Sequence, residues 1–353
     1  MITASPPLRI ACIGLGWVAT HRHIPAILRQ PQFRLIGVID RNRERAQQCA
    51  ARFNVKNFDT ADDLKNVAWL SDVDALCIGT SPLAHAALTL EALRLGKHVL
   101  VEKPFAMDVK EGDAMVAAAA ANKRVLGVVH NFQFSRATQK LEYDLAHNRL
   151  GPTRRLAAVQ FGNPLRRLPH WYPELPLGLF YDESPHFFYL LRRLAGSDLK
   201  LRHGHATGAH DKTSTPSLLN LLYKTDGDIP VTIDCQFDSA VSEWFVVVTG
   251  TKAVGILDIF RDIYIRLPND GAHNILQILR TSFYAFSQHW SQHIPNGLAY
   301  LRGRLDYGND EVFNRFATAI HTGLPLEGIG VANALEVLKY QHEAIEKIRH
   351  NLL

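Results

Sequence analysis

Leu8-Arg9-Ile10-Ala11-Cys12-Ile13-Gly14-Leu15-Gly16-Trp17-Val18-Ala19 passes from an almost wholly apolar run into a glycine turn and then into a helical pattern. The apolar run reads as a strand covered on both faces, as in a parallel sheet packed between helices. In the turn, Gly14 permits a tight reversal and Gly16 lets backbone amides approach an anionic group. The third position of the pattern, Ala19, is small enough to keep the new helix against the strand. A helix starting there turns unpaired N–H groups and the positive end of its dipole toward the loop. Gly14, Gly16, Trp17, Val18 and Ala19 are therefore candidate contacts for the pyrophosphate of a dinucleotide.

The next strand, Phe33–Ile39, ends at Asp40, 21 residues past Ala19. A carboxylate at that place accepts hydrogen bonds from adenosine ribose hydroxyls and repels a 2′-phosphate, which favours NAD. Arg41 follows directly, and a guanidinium there accommodates the phosphate, so NADP stays open.

Further out, apolar strands at 75–78, 98–101 and 125–129 alternate with helical patterns at 18–29, 43–53, 83–95 and 110–121. That alternation predicts a Rossmann-type, doubly wound parallel sheet over residues 1–130. The texture then changes. A helix over 136–150, ending at Gly151-Pro152, leads into strands at 155–161, 200–207, 217–223, 231–237, 244–249, 253–259 and 261–267. One helix, 180–194, interrupts them. Consecutive strands without crossover helices predict an open, mostly antiparallel sheet in an α+β domain of residues 131–353. The tail from 275 to 348 reads as helical, broken at Pro295 and Pro325. Few helices are left to cover both faces of that sheet, and an exposed apolar sheet face predicts a homodimer or homotetramer.

Composition narrows the class. The 353 residues are 47% hydrophobic and 21% charged, with a formal net charge of +5. That is a globular balance. The basic residues are dispersed and not interleaved with aromatics, which argues against a nucleic-acid partner. The apolar runs are strand-sized, arguing against a membrane span. The opening MITASPPLRI lacks a signal-peptide pattern, so a cytoplasmic location is expected. The four cysteines are scattered, and His203-x-His205 has no visible third ligand, so no metal site is expected.

One segment is far more specific than the glycine turn. Ala92-Leu93-x-x-Gly96-Lys97-His98-Val99, followed by Glu102-Lys103-Pro104, closely resembles the signature of the glucose–fructose oxidoreductase, inositol dehydrogenase and MocA (Gfo/Idh/MocA) family. Thr80-Ser81-Pro82 followed by His85 resembles that family's loop near the nicotinamide ribose, which makes Thr80, Pro82, His85, Glu102 and Lys103 candidate cofactor contacts. The resemblance implies an NAD(P)-dependent dehydrogenase or reductase acting on a CH–OH group of a sugar, cyclitol or nucleotide sugar. It also implies a catalytic role for Lys103 at the substrate. The same role follows from chemistry: an ammonium at the carboxyl edge of the sheet polarises a carbonyl or stabilises an alkoxide.

Asp182-Glu183-Ser184-Pro185-His186 matches the family's Asp-x-x-x-His element. On a helix Asp182 and His186 lie one turn apart, so His186 can pass a hydroxyl proton while Asp182 orients it. Other positions depart from the family. Tyr189 stands where an aspartate is common, and the stretch around Asn131 keeps Asn131 and Phe134 but lacks the arginines. Asn131, with the loop aromatics Trp171 and Tyr172, is a candidate substrate contact. Two other activities stay open: an NAD-dependent glycosidase working by transient oxidation, and a non-catalytic NAD(P)-binding sensor or scaffold.

Overall fold

The computed structural model describes residues 6–60, 63–208 and 214–352. The chain forms two compact units, Met1–Asn131 with Gly308–Lys339 and Phe132–Tyr307 with Tyr340–Leu353. Residues 308–339, which the sequence pattern places with the second domain, pack in the first.

The first unit begins β1 (Leu8–Ile13), α1 (Ile24–Arg29), β2 (Phe33–Ile39), α2 (Arg43–Phe53), β3 (Asn57–Asp59) and β4 (Ala75–Ile78). It continues α3 (His85–Arg94), β5 (His98–Val101), α4 (Val109–Ala121) and β6 (Leu126–Val128). All pairings are parallel and the order is β3-β2-β1-β4-β5-β6, the doubly wound arrangement expected. The order reverses between β1 and β4, and the carboxyl ends of those strands flank the crevice where such sheets bind ligands. One expected helix is altered. Residues Ala19–His23 form a π turn, with Ile24 N–H bonded to the Ala19 carbonyl, before α1 begins. Pro25 has no N–H for the tighter bond, and the wider turn brings His23 inside, fully buried.

In the second unit come α5 (Arg136–Ala146), β7 (Thr153–Phe161), α6 (Leu179–Ala195) and β8 (Leu199–Thr207). Five strands follow: β9 (Leu218–Thr225), β10 (Pro230–Gln236), β11 (Glu243–Gly250), β12 (Ala253–Asp258) and β13 (Ile263–Pro268). Their order is β13-β12-β11-β7-β10-β9-β8, antiparallel except where β7 meets β10. Helix α5 stops at Ala146, short of the expected Gly151, because Asn148 takes up the left-handed conformation at φ 53°.

Helix α7 (Ile275–Leu301) runs unbroken through Pro295, against expectation. Side-chain amides fasten it to the edge strand. The Gln288 amide accepts the Arg266 N–H and donates to the Arg266 carbonyl, both at 3.0 Å. Gln292 does the same for Tyr264, at 3.1 and 2.7 Å, and Asn296 donates to the Asp262 carbonyl at 2.7 Å. These bonds on both sides of Pro295 hold the helix that the missing N–H would otherwise weaken. The outward side chains of the strands are mostly half-buried, and the larger exposed apolar set lies on α7.

Helix α8 (Asn309–Thr322) returns to the first unit, where Phe313 and Phe316 meet Phe33 and Arg29 pairs with Asp310 at 2.6 Å. Before α9 (Val331–Leu352), Ile329 accepts the Val128 N–H on the free edge of β6. Ala334 and Leu338 of α9 then enter the core with Val99, Val101 and Met115. No helix among the described residues is long and apolar enough to cross a membrane.

His130, fully buried just past β6, has its pKa pushed down to about 3 by burial, only partly offset by its bond to the Gly328 backbone. An unfolded histidine titrates near 6.5, and each pH unit between the two values is worth about 1.4 kcal/mol. Below about pH 6.5 the unfolded chain binds a proton that the folded chain refuses, so stability falls as pH drops from there toward 3. Urea midpoints should decline through this window. His130→Gln should flatten the decline by roughly 1.4 kcal/mol per pH unit. An unchanged slope would remove His130 as the cause.

Candidate active site

At the first turn, Gly14 has φ +81°, and a Cβ there would lie 2.6 Å from Thr80 Cγ2 and 2.7 Å from Thr80 N. Only glycine lets the end of β1 lie this close to the chain leaving β4. A Cβ on Gly16 would meet nothing within 4 Å, so the backbone there is open to a ligand. Ala19 is buried, whereas Trp17 and Val18 are exposed, with Trp17 stacked on His21 and Arg22. The buried Asp40 carboxylate accepts the Leu15 N–H at 2.8 Å and the Asn42 N–H at 2.9 Å. Asp40 thus ties the glycine loop to the end of β2. Arg45 lies 3.5 Å from it, and Arg41 is exposed alongside.

Beyond β5 the chain turns at Glu102-Lys103-Pro104, with a cis bond before Pro104. Two buried histidines hold this turn. His23 Nε2 lies 2.7 Å from Glu102 Oε1, and the other Glu102 oxygen accepts the Lys103 N–H at 2.9 Å. His23 Nδ1 faces the Cys77 thiol at 3.4 Å. His85 Nδ1 lies 2.7 Å from the Pro104 carbonyl and its Nε2 lies 3.3 Å from the Thr80 carbonyl. Burial holds the His85 pKa below its usual value, so the ring stays neutral and Nδ1 carries the proton given to Pro104. Both histidines fasten the turn; Lys103 is half-buried at its apex. Pro82 is buried and Thr80 half-buried beside it. Sequence reasoning misses His23. Its only signal is a histidine one turn into the helix that the glycine motif opens. Asn131 ends the first unit, partly exposed.

In the second unit α6 carries Asp182 and His186, both nearly buried. The Tyr172 hydroxyl donates to Asp182 Oδ2 at 2.7 Å. Burial, and then the Asp182 charge, push the Tyr172 pKa upward, so the phenol keeps its proton. Tyr172 is thus packed inward, while the half-buried Trp171 stacks on it at 4.6 Å. His186 Nδ1 lies 2.7 Å from the Tyr189 hydroxyl, which also accepts the Phe132 N–H at 3.1 Å. Phe132 and Trp244 enclose the ring. A further polar group carries no sequence signal: Glu183, next to Asp182, bonds Gln160 and Arg166. Burial opposes the Arg166 charge, but Glu183 more than offsets it.

His203 and His205 share the outer face of β8, and His289 stacks on His293 along α7. No cluster of three metal-ligating side chains occurs among the described residues.

Residues 8–130 match the family model described as "Oxidoreductase family, NAD-binding Rossmann fold", Gfo/Idh/MocA. This segment of the chain is similar to the NAD-binding domain of the Gfo/Idh/MocA family. UDP-N-acetylglucosamine 3-dehydrogenase of Acidithiobacillus ferrooxidans is 36% identical over 124 residues, 35% of this chain and 37% of that protein. The NADP-dependent scyllo-inositol 2-dehydrogenase of Bacillus subtilis is 33% identical over 151 residues, 43% and 44% of the two. These matches thus span less than half of either relative. The fold likeness extends further. The solved UDP-N-acetylglucosamine 3-dehydrogenase of A. ferrooxidans superposes with a TM-score of 0.72 at 19% identity, over 98% of this chain and 99% of that one. An Agrobacterium radiobacter oxidoreductase in complex with NAD+, L-tartaric acid and magnesium gives 0.77 at 16% identity, over 98% and 97%. Residues 8–130 accordingly resemble a Gfo/Idh/MocA NAD-binding Rossmann domain, and the chain shares the fold of these solved oxidoreductases.

The closeness of Gly14 to Thr80 makes a test of the loop. Gly14→Ala combines an unfavourable φ with a clash against backbone and should cost roughly 2–5 kcal/mol of stability. A wild-type urea midpoint in that variant would show that the loop relaxes freely.

Proposed function

We propose that this chain is an NAD-dependent oxidoreductase that moves hydride between the nicotinamide and a secondary alcohol or ketone of a sugar, cyclitol or nucleotide sugar. The observation carrying this is the Glu102-Lys103-Pro104 turn, fixed from beneath by His23 and His85 at the carboxyl edge of a family Rossmann sheet. NAD, when bound, supplies the hydride acceptor or donor. Gly14 and Gly16, with the N–H groups from Trp17 to Ala19, hold its pyrophosphate, and the open space over Gly16 fits that role. Asp40 holds the adenosine ribose while keeping the loop in place. Thr80 and Pro82 border the nicotinamide.

Lys103 presents its ammonium to the reacting oxygen and stabilises negative charge as it develops. His186, oriented by the Tyr189 hydroxyl, exchanges the hydroxyl proton. Asp182, held by the Tyr172 hydroxyl, positions substrate hydroxyls. Asn131 and Trp171 complete the substrate contacts. Dehydrogenase and reductase names among the relatives favour this reading over a transient-oxidation glycosidase or a non-catalytic sensor.

Calorimetry with each cofactor tests the first half. Asp40→Ala should weaken NAD(H) and spare or improve NADP(H). Equal loss of both would mean that Asp40 acts only on the loop. For the chemistry, a panel of sugars and nucleotide sugars is screened by nicotinamide absorbance. On the substrate found, Lys103→Ala and His186→Ala should each lower kcat by about 10²–10⁴ with NAD(H) affinity unchanged. Lys103→Arg should not rescue, because a planar, always-charged guanidinium cannot exchange the proton. Full activity in either single variant would end its assigned role.

A further inference from the structure

Helix α7 carries an unusual surface. Leu276, Leu279, Phe283, Phe286, Trp290, Ile294 and Leu301 are all exposed, from 45% at Trp290 to 82% at Leu301. Their successive spacings are 3, 4, 3, 4, 4 and 7. At about 100° per residue they fall in an arc of about 80°, on the side of the helix opposite Gln292. One side of α7 is therefore fastened to β13 by amides while the other is an apolar seam facing solvent. At these exposures the seam leaves on the order of 800 Å² in water, beyond the largest patch of a typical monomer and about one partner's share of a standard interface.

We infer that this seam is the contact for a second copy of the chain, packed as an antiparallel pair of α7 helices about a two-fold axis. The pattern is symmetric under reversal. Turning the helix about the point between Gln288 and His289 sets Leu276 against Leu301, Phe283 against Ile294, and Phe286 within a residue of Trp290. Leu279 falls against Leu298, itself half-exposed. An isologous interface requires just this self-complementarity, and threes and fours are the spacing by which one helix seats another. Charge does not oppose it. Arg280 is the only Asp, Glu, Lys or Arg within α7, and antiparallel pairing keeps the two copies about 25 Å apart. A membrane surface is a poorer fit. Helices that lie on lipid carry Lys and Arg on their polar side, whereas α7 has there glutamines and an asparagine already bonded to β13.

The inference does not depend on the proposed reaction, and NADH binding is measured alongside as an independent check on the first unit. Light scattering on the full chain at about ten micromolar should give a dimer or tetramer, and Phe283→Glu with Trp290→Glu should halve the mass, with circular dichroism and NADH affinity unchanged. A monomeric wild type, or a double variant of wild-type mass, would overturn the proposal. Should the double variant fail to fold, cysteine trapping decides. The native cysteines are all buried. Leu276→Cys with Leu301→Cys should give intermolecular disulfides under mild air oxidation, and either change alone should not. Failure to cross-link refutes the antiparallel pairing. Co-sedimentation of the wild type with phosphatidylserine–phosphatidylcholine vesicles, lost in the double glutamate variant, would assign the seam to lipid instead.

Discussion

The edge of the first sheet depends on one buried hydrogen bond, from His23 to Glu102. A carboxylate with so little exposure is costly unless each oxygen finds a donor. Here one oxygen has the imidazole and the other has the N–H of Lys103. The imidazole in turn reaches this point because the chain widens into a π turn just after the glycine loop. The glycine loop and the turn that carries Lys103 are thereby joined through one side chain. Removing His23 would leave Glu102 short of a donor and free the backbone that aims Lys103. His85 works from the other side, through the Pro104 and Thr80 carbonyls.

A similar economy governs α6. Each polar group proposed for substrate is already held by a phenol, Asp182 by Tyr172 and His186 by Tyr189. Tyr189 brings a neutral hydroxyl to His186 and uses the same oxygen to accept the Phe132 N–H. A neutral partner orients the ring without placing a charge beside it.

What the sequence made legible follows the strength of local signals. Apolar strands bounded by glycine and the strand–helix rhythm specified the Rossmann sheet. Uninterrupted strand patterns specified the second sheet, down to its mostly antiparallel pairing. Long-range choices were not legible. Phe313 and Phe316 announce an apolar helix face, yet nothing in their spacing says that Phe33 receives it, so the return of residues 308–339 to the first unit was missed. Pro295 signals a break, and amide bonds to β13, formed by residues with no local reason to make them, override it. Among the candidate residues, the motif positions Lys103, Asp182 and His186 stand out by type and spacing. His23, Glu183 and Arg166 do not, because their meaning comes from partners distant in sequence.

The amide fastening of α7 also bears on how the chain survives its own synthesis. An unpaired strand edge invites pairing with any other strand in reach. Residues four apart on a helix stand about 6 Å apart along its axis, close to the roughly 6.8 Å between alternate residues of a strand. Gln288 and Gln292 therefore offer Arg266 and Tyr264 what a neighbouring strand would offer, while the helix that bears them cannot itself be extended by another strand. Pro268, at the end of β13, has no N–H to give. Because α7 follows β13 directly in the chain, this shield needs no distant segment to arrive. It becomes available to a nascent chain as soon as residue 296 has left the ribosome, which shortens the interval in which an open edge could seed aggregation.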